Sequence, residues 1–263
     1  MISRFREIEN SYIENFSESK DKGDYIIFRD DKLPDMHAFN CMLVKDNMNE
    51  DSIEDFVADS LNQAKLSGKD FLTIIFHPQI KIKDRLIECL VDMGFDIENN
   101  LYLEIEGSKA DGFKANDECV VKIASTNDGY EAARALDIKT CITKGIPLEF
   151  AQRKTLRKKE VFQNPNKKLY LYLCYFENDV VGKCELHVKD EHAKIEDFEV
   201  LDKYQRRGFG TAILKRVISD AVGLGMKNIY LIADKDDTPR EMYVKLGFEL
   251  IGEEFELFWS KQK

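Results

Sequence analysis

Residues 202–210 read Asp202-Lys203-Tyr204-Gln205-Arg206-Arg207-Gly208-Phe209-Gly210, a polar and basic segment with two glycines. It follows a strand-like run, 193–201, and precedes a segment in which apolar residues recur at helical spacing from Thr211 to Gly223. Glycines at 208 and 210 keep side chains away from the backbone, so that successive N–H groups at the start of a helix can converge on an anion. The segment therefore predicts a strand, an anion-binding loop and a helix.

The sequence on both sides of this loop predicts an α/β domain that begins near residue 115. Two strand-like runs, 169–176 and 180–188, are separated by three polar residues, which is typical of a hairpin. A strand at 228–233, a short helix at 238–246 and a final strand or strand pair at 248–259 follow the loop. Upstream, a strand at 118–124 and helices at 128–138 and 147–162 complete the pattern.

Two motifs in this half resemble those of the GNAT N-acetyltransferase superfamily. Gln205-x-x-Gly208-x-Gly210 resembles the Q/R-x-x-G-x-G/A loop of that family, and the segment from Tyr243 to Phe248 is similar to its Y-x-x-x-G-F signature. The resemblance implies a mixed α/β sheet with the acyl-CoA N-acyltransferase fold. It also implies an acetyl-CoA-dependent enzyme that transfers an acetyl group to a primary amine by direct attack.

The resemblance further implies which residues bind and react. The strand before the loop should splay from its neighbour and offer backbone groups to the pantetheine arm. Tyr243 resembles the family's general acid, since a phenol with a pKa near 10 stays protonated at neutral pH. The cofactor-binding candidates on the strand, the loop and the later turn are Phe198, Val200, Leu201, Gln205, Arg206, Arg207, Gly208, Phe209, Gly210, Thr211 and Asp236.

The identity of the general base stays open at the level of the sequence. Ile195, Phe198 and Val200 break strict alternation in the strand before the loop, as a β-bulge would make them do. Because a slip of one residue reverses every side chain, either Glu196 or Glu199 is a candidate base. Some members of the superfamily use no side-chain base.

The first half of the chain carries a weaker copy of the second. The segment 90–97 parallels 243–250, and an internal repeat is the natural interpretation. In that register the loop glycines correspond to Glu50 and Ser52, and Tyr243 corresponds to Leu90. We therefore expect two tandem units, a degenerate one at 1–112 without a cofactor loop and an acetyltransferase domain at 113–263, joined by a short polar linker at 107–113.

Composition limits the other functions. The net charge of −10 arises in the first half, because residues 1–120 carry −12 and residues 121–263 carry +2, which disfavours nucleic-acid binding. Apolar runs are strand-sized, and Met1 to Asn10 lacks a secretory pattern, so we expect a cytoplasmic protein without membrane contact. The six cysteines and four histidines show no metal-ligand spacing, which predicts no metal.

Two functions remain open. The first is acetylation of a small-molecule or peptide amine with catalysis confined to the second half. The second is a non-catalytic acetyl-CoA-binding module with a regulatory or interaction role. Neither the acceptor nor the oligomeric state is indicated by the sequence.

Overall fold

A computed structural model describes the backbone of residues 2–235 and 239–261. Its helices are α1 (Arg6–Ile13), α2 (Ile53–Leu66), α3 (Asp84–Asp92), α4 (Asn127–Thr143), α5 (Leu148–Phe162), α6 (Phe209–Gly223) and α7 (Pro239–Lys245). Its strands are β1 (Glu18–Asp21), β2 (Tyr25–Arg29), β3 (Met42–Val44), β4 (Phe71–Phe76), β5 (Asp96–Ile105), β6 (Val120–Ile123), β7 (Leu169–Phe176), β8 (Asp179–Lys189), β9 (His192–Val200), β10 (Asn228–Asp234) and β11 (Glu249–Ser260). Among the helices so described, none is long and apolar enough to cross a membrane.

The chain forms two compact units that are not separated by a single cut. Unit 1 comprises Met1–Tyr102, Ala233–Arg240 and Leu250–Lys263, and unit 2 comprises Leu103–Ile232 and Glu241–Glu249. Most of the C-terminal strand thus belongs to the unit built from the N-terminal half. The segment that the sequence predicts as a linker lies within unit 2, where Gly107–Gly112 forms a 3-10 helix.

Unit 1 contains a mixed sheet in the order β1-β2-β3-β4-β11-β5. Strand β4 runs parallel to β3, whereas β11 runs antiparallel to β4, with Leu257 opposite Ile74. One face of this sheet is covered by α2, which buries Ile53, Val57 and Leu61 at helical spacing. These residues share a core with Leu90 of α3 and Trp259 of β11.

Unit 2 contains the sheet order β10-β9-β8-β7-β6, with the end of β5 beside β10. Strands β6 to β9 are antiparallel, and β10 is parallel to β9. The predicted hairpin is confirmed, since Glu177 and Asn178 take φ values of +50° and +73° at the turn between β7 and β8. Helix α6 packs on one face of the sheet, where the Cβ position of Gly182 meets Ile213, and α4 and α5 supply ion-pair partners on the other.

The repeated segment has the same element order in both places. Strand β4, helix α3 and strand β5 follow one another as do β10, α7 and β11. Gly94 and Gly247, which end the two helices, both have a φ of +94°. This matching left-handed helix end agrees with the repeat that the sequence indicates.

Candidate active site

The predicted anion-binding loop lies at the N-terminus of α6. Gly208 has a φ of +82° and is the residue that precedes the helix. The first helical hydrogen bond runs from Ala212 N–H to Gly208 O, over 3.0 Å. The N–H groups of residues 209–211 therefore precede the helical hydrogen-bond pattern and are available to an external acceptor.

The fold of the loop itself requires glycine at position 208. A Cβ atom at this position would lie 3.0 Å from the backbone N of Asn116, and a positive φ disfavours other residues. Asn116 also holds the loop, since its side-chain amide donates to Arg207 O over 2.8 Å and its N–H donates to Gly208 O over 3.3 Å. Asn116 was not predicted as a site residue, and no sequence pattern marks it.

Gln205 and Gly210 connect the loop to β9. The side-chain amide of Gln205 donates to Val200 O over 3.0 Å and to Asp202 Oδ1 over 3.1 Å. A Cβ atom at Gly210 would lie 3.0 Å from Phe198 Cζ and 3.7 Å from Met242 Sδ. Both residues thus fix where β9 ends relative to α6.

The basic residues of the loop have different surroundings. The guanidinium of Arg207 lies over the rings of Phe176, Tyr204 and Phe209, at 5.1, 5.6 and 5.1 Å from their centroids. Cation–π contacts with these three rings fix the position of the Arg207 guanidinium. Arg206 is exposed and has a φ of +58°. A phosphate contact by either arginine stays a prediction, whereas the loop N–H groups are already organised.

Strand β9 is paired with β10 only along its first part. The parallel pairing runs from His192 opposite Asn228 to Ile195 opposite Leu231. Beyond it, Lys183 lies opposite Glu199 and Glu185 opposite Glu196, so that β9 has one more residue than β8. Asp197 within this segment has a φ of +46°. The predicted β-bulge is therefore confirmed, and residues 196–200 continue past the paired part of β10.

The bulge determines which side chains of β9 lie on each face of the sheet. Phe198 and Val200 face α6, where both lie within 3.6 Å of the Cβ position of Gly210. Glu196 and Glu199 lie opposite Glu185 and Lys183, which contact α5 and α4. Both candidate bases thus lie on the face opposite the loop-facing side chains.

The two candidate bases differ in their environment. Glu196 forms an ion pair with Lys194 over 2.9 Å. Glu199 lies 4.0 Å from Lys144 Nζ, with its side chain 18% exposed. Burial raises the pKa of the Glu199 carboxyl above its usual value, although Lys183 acts against this shift. A raised pKa brings a carboxylate closer to the range in which a general base works best at neutral pH.

Tyr243 lies on α7 and is 6% exposed. Its ring centroid is 6.2 Å from that of Phe198 and 5.6 Å from that of Phe248. The ring of Tyr243 therefore lies next to β9 and is part of the local packing. The catalytic role of Tyr243 stays a prediction. Asp236 lies outside the described residues.

A buried ionic cluster, defined as Asp137, Lys158, Lys183, Glu185 and Asp197, was not predicted. The basic run 153–159 suggests a solvated helix face, but Lys158 is 5% exposed. The alternation of polar and apolar residues in Lys183-Cys184-Glu185-Leu186-His187 likewise suggests a half-buried strand. Asp137, Lys158, Lys183 and Glu185 are buried because helices cover both faces of β8, whereas the side chain of Asp197 is 27% exposed. Among the described residues, no group of three or more His, Cys, Asp or Glu side chains could hold a metal ion.

Comparison with known proteins agrees with this geometry. Residues 139–248 match the model of the acetyltransferase (GNAT) family. Over 255 residues, 95% of each chain, the protein is 28% identical to the uncharacterized N-acetyltransferase CgeE of Bacillus subtilis (strain 168). The chain is thus similar to GNAT-family N-acetyltransferases, and the match to the family model lies in its second half, at residues 139–248.

Solved structures show the same fold across most of the chain. A functionally unknown conserved protein from Staphylococcus epidermidis ATCC 12228 matches with a TM-score of 0.79 at 18% identity, over 97% of both chains. A tandem GNAT protein from the clavulanic acid biosynthesis pathway matches with a TM-score of 0.56 at 14% identity, over 83% of this chain and 73% of that one. At these identities the likeness concerns the fold alone.

Proposed function

We propose that this protein transfers the acetyl group of acetyl-CoA to a primary amine. The main support for this proposal is the way in which β9 leads through the glycine loop into α6. A strand that diverges from its parallel neighbour after Ile195 leads into a glycine loop with three outward N–H groups at residues 209–211. These features suit a thioester ligand whose long arm follows the strand and whose diphosphate lies at the helix N-terminus.

The residues present fit acetyl-CoA in a further respect. The loop offers backbone donors, which suit phosphate oxygens, and the exposed cation Arg206 adjoins them. Phe198 and Val200 provide an apolar face on the loop side of β9. When bound, acetyl-CoA supplies the activated acyl group, and the protein orients it.

Two side chains of the protein transfer the protons of the reaction. The incoming ammonium must lose a proton before it attacks, and we assign this proton to Glu199, directly or through water. Its partly buried position and its raised pKa support Glu199 over Glu196, which forms an ion pair with Lys194. Tyr243, beside the cofactor strand, donates a proton to the leaving thiolate.

The first half is proposed to be a degenerate copy without cofactor binding. Residues 50–52, which correspond to the loop, form a 3-10 turn rather than a positive-φ glycine turn. The side chain of Asn49 accepts from Asp51 N–H over 3.1 Å, which satisfies one donor internally. Glu50 and Asp51 would also repel a diphosphate. We therefore expect one acetyl-CoA per chain.

A non-catalytic acetyl-CoA-binding module is the second candidate, favoured by the packing of Tyr243 between two phenylalanines. The two functions are separated by measuring release of free CoA thiol with a panel of amines. The panel should include amino acids, polyamines, aminoglycosides and peptides with a free N-terminus. The enzyme releases thiol only when an amine is present. Thermal stabilisation by acetyl-CoA without amine-dependent thiol release would instead support the binding module.

A further inference from the structure

Asp197 has an unfavourable backbone conformation at the point where β9 changes direction. Its φ of +46° lies in the left-handed region, which aspartate tolerates better than most residues but still disfavours. The β8 register changes across this position, from Glu185 opposite Glu196 to Lys183 opposite Glu199. Such a conformation persists only when the surrounding structure holds it.

Two buried lysines hold the side chain of Asp197. Lys158 Nζ, from α5, lies 2.5 Å from Asp197 Oδ2, and Lys183 Nζ, from β8, pairs with the same oxygen. The lysine side chains are 6% and 1% exposed, respectively. An ion pair in such surroundings is geometrically restrictive, because moving the carboxylate would leave both cations buried without it.

A second layer of carboxylates orients the two lysines. Lys183 Nζ also lies 2.5 Å from Asp137 Oδ1 on α4, and Lys158 Nζ lies 2.5 Å from Glu185 Oε1 on β8. Burial alone would lower the pKa of the Lys158 amine, but Asp197 and Glu185 raise it well above its usual value. Burial likewise opposes ionisation of Asp197, yet Lys158 and Lys183 hold its pKa well below the usual range. Both pKa shifts favour the charged forms of Lys158 and Asp197.

The position of Asp197 determines the facing of the residues that follow it. After the bulge, Phe198 and Val200 face Gly210, and Glu199 lies opposite Lys183. Without the extra residue the register would shift by one, and every following side chain would change faces. The divergence of β9 from β10 begins two residues before Asp197, after Ile195.

We propose that Asp197 is a positioning residue: its ion pairs with Lys158 and Lys183 hold the β-bulge that turns the end of β9 toward acetyl-CoA. This inference rests on the proposed function, because it assigns the role of Asp197 through the cofactor strand. The five-residue ionic cluster thus serves the geometry of the cofactor site.

The test compares acetyl-CoA affinity, measured by calorimetry on the full chain, among four variants. Asp197→Asn removes the charge, and Asp197→Gly permits the left-handed backbone but removes the anchor. Glu131→Gln is the matched control, since the Glu131 carboxylate on α4 also forms ion pairs with two basic side chains, Lys159 of α5 and Arg134 of α4. Val161→Ala, a buried position on α5, is the control for general destabilisation.

We expect both Asp197 variants to weaken acetyl-CoA binding by about ten-fold or more, because a mispositioned binding strand loses several contacts at once. Glu131→Gln and Val161→Ala should keep wild-type affinity, even where Val161→Ala lowers the melting temperature as much as Asp197→Asn. Wild-type affinity in folded Asp197→Asn and Asp197→Gly would overturn the proposal.

A charge-balanced variant decides the matter if the single Asp197 variants do not fold. Lys158→Met combined with Asp197→Asn removes one charge of each sign, and so avoids leaving Lys158 as an uncompensated buried cation. Weak acetyl-CoA binding by this double variant supports the positioning role, and wild-type binding refutes it. Failure of the wild-type chain to bind acetyl-CoA would instead refute the proposed function, whatever the role of Asp197.

Discussion

Phe198 Cζ lies 3.0 Å from the position that a Cβ atom at Gly210 would occupy. The second glycine of the loop is therefore in contact with the cofactor strand rather than with open solvent. The first glycine, Gly208, is in contact with the backbone of Asn116 instead. The two glycines of the motif thus serve different purposes, and substitutions should separate them.

Gly208→Ala should weaken acetyl-CoA binding more than Gly210→Ala. At Gly208 the new Cβ meets a backbone nitrogen and the φ of +82° is disfavoured, whereas at Gly210 only the far end of the Phe198 ring must shift. We expect Gly210→Ala to lose about three-fold and Gly208→Ala about ten-fold or more, within the usual range for backbone strain. Calorimetric dissociation constants check the ranking, and the opposite order would contradict the loop geometry.

Tyr243→Phe should lower kcat by about 10²-fold with little change in KM for acetyl-CoA. The phenyl ring keeps its packing against Phe198 and Phe248, so that only the hydroxyl is lost. Tyr172→Phe is the control. This substitution also removes a tyrosine hydroxyl, but that hydroxyl donates to Asp220 of α6 over 3.0 Å and has no proposed catalytic role. Steady-state kinetics measure this effect. An unchanged kcat in Tyr243→Phe would mean that Tyr243 has a packing role only.

Glu199→Gln should remove the acidic limb of the pH profile of kcat/KM. A base must be ionised, and burial raises the pKa of Glu199, so wild-type activity rises as the pH rises through that raised value. Glu196→Gln is the matched control on the same strand and should keep the limb. If the limb disappears in Glu196→Gln and persists in Glu199→Gln, the assignment of the base is reversed.

Glu256→Gln should stabilise the protein above about pH 8 and not near pH 4. Burial, together with Glu98 and Glu254, raises the pKa of the Glu256 carboxyl to about 8. Because this folded-state pKa exceeds the unfolded value, the stability present at low pH is lost as the pH rises through the folded pKa. Melting temperatures of both proteins across this range test the sign.

The matched control for Glu256 is Glu249→Gln on the same strand. Its hydrogen bond and ion pair with Lys109 lower the pKa of this exposed carboxyl, so the sign is reversed. Glu249→Gln should therefore give no stabilisation at high pH. Equal melting-temperature shifts in the two variants would contradict the role of burial at Glu256.

The sequence predicted local features of the second half well, because each has a short-range cause. The turn at Glu177 and Asn178, the helix after Gly208 and the bulge near Asp197 all follow from residue spacing and backbone preference. The family resemblance predicted a cofactor-binding role for Gln205, Gly208 and Gly210. These features require no knowledge of distant segments.

Features that depend on distant segments were not predictable. The pairing of β11 with β4, as in Leu257 opposite Ile74, joins residues that are far apart in the sequence. The burial of Lys158 depends on Asp197 and Glu185, which no helical pattern of α5 reveals. The contact of Asn116 with Gly208 likewise brings together residues that no local pattern relates.

The location of β11 also affects how the cofactor site can be isolated. A fragment of residues 113–263 would keep the loop, β9 and Tyr243, but it would separate β11 from β4 and β10 from β5. The exposed strand edges favour aggregation. The full chain is therefore the proper subject for binding measurements.

Calorimetric titration of the full chain with acetyl-CoA shows whether the chain has one cofactor site or two. We place one site at β9, the glycine loop and α6, and none at residues 49–53, where Glu50 and Asp51 replace the glycine turn. We expect saturation at one acetyl-CoA per chain, with affinity lost in Gly208→Ala and kept in Glu50→Gln. Saturation at two per chain, or binding that is unaffected by Gly208→Ala, would contradict it.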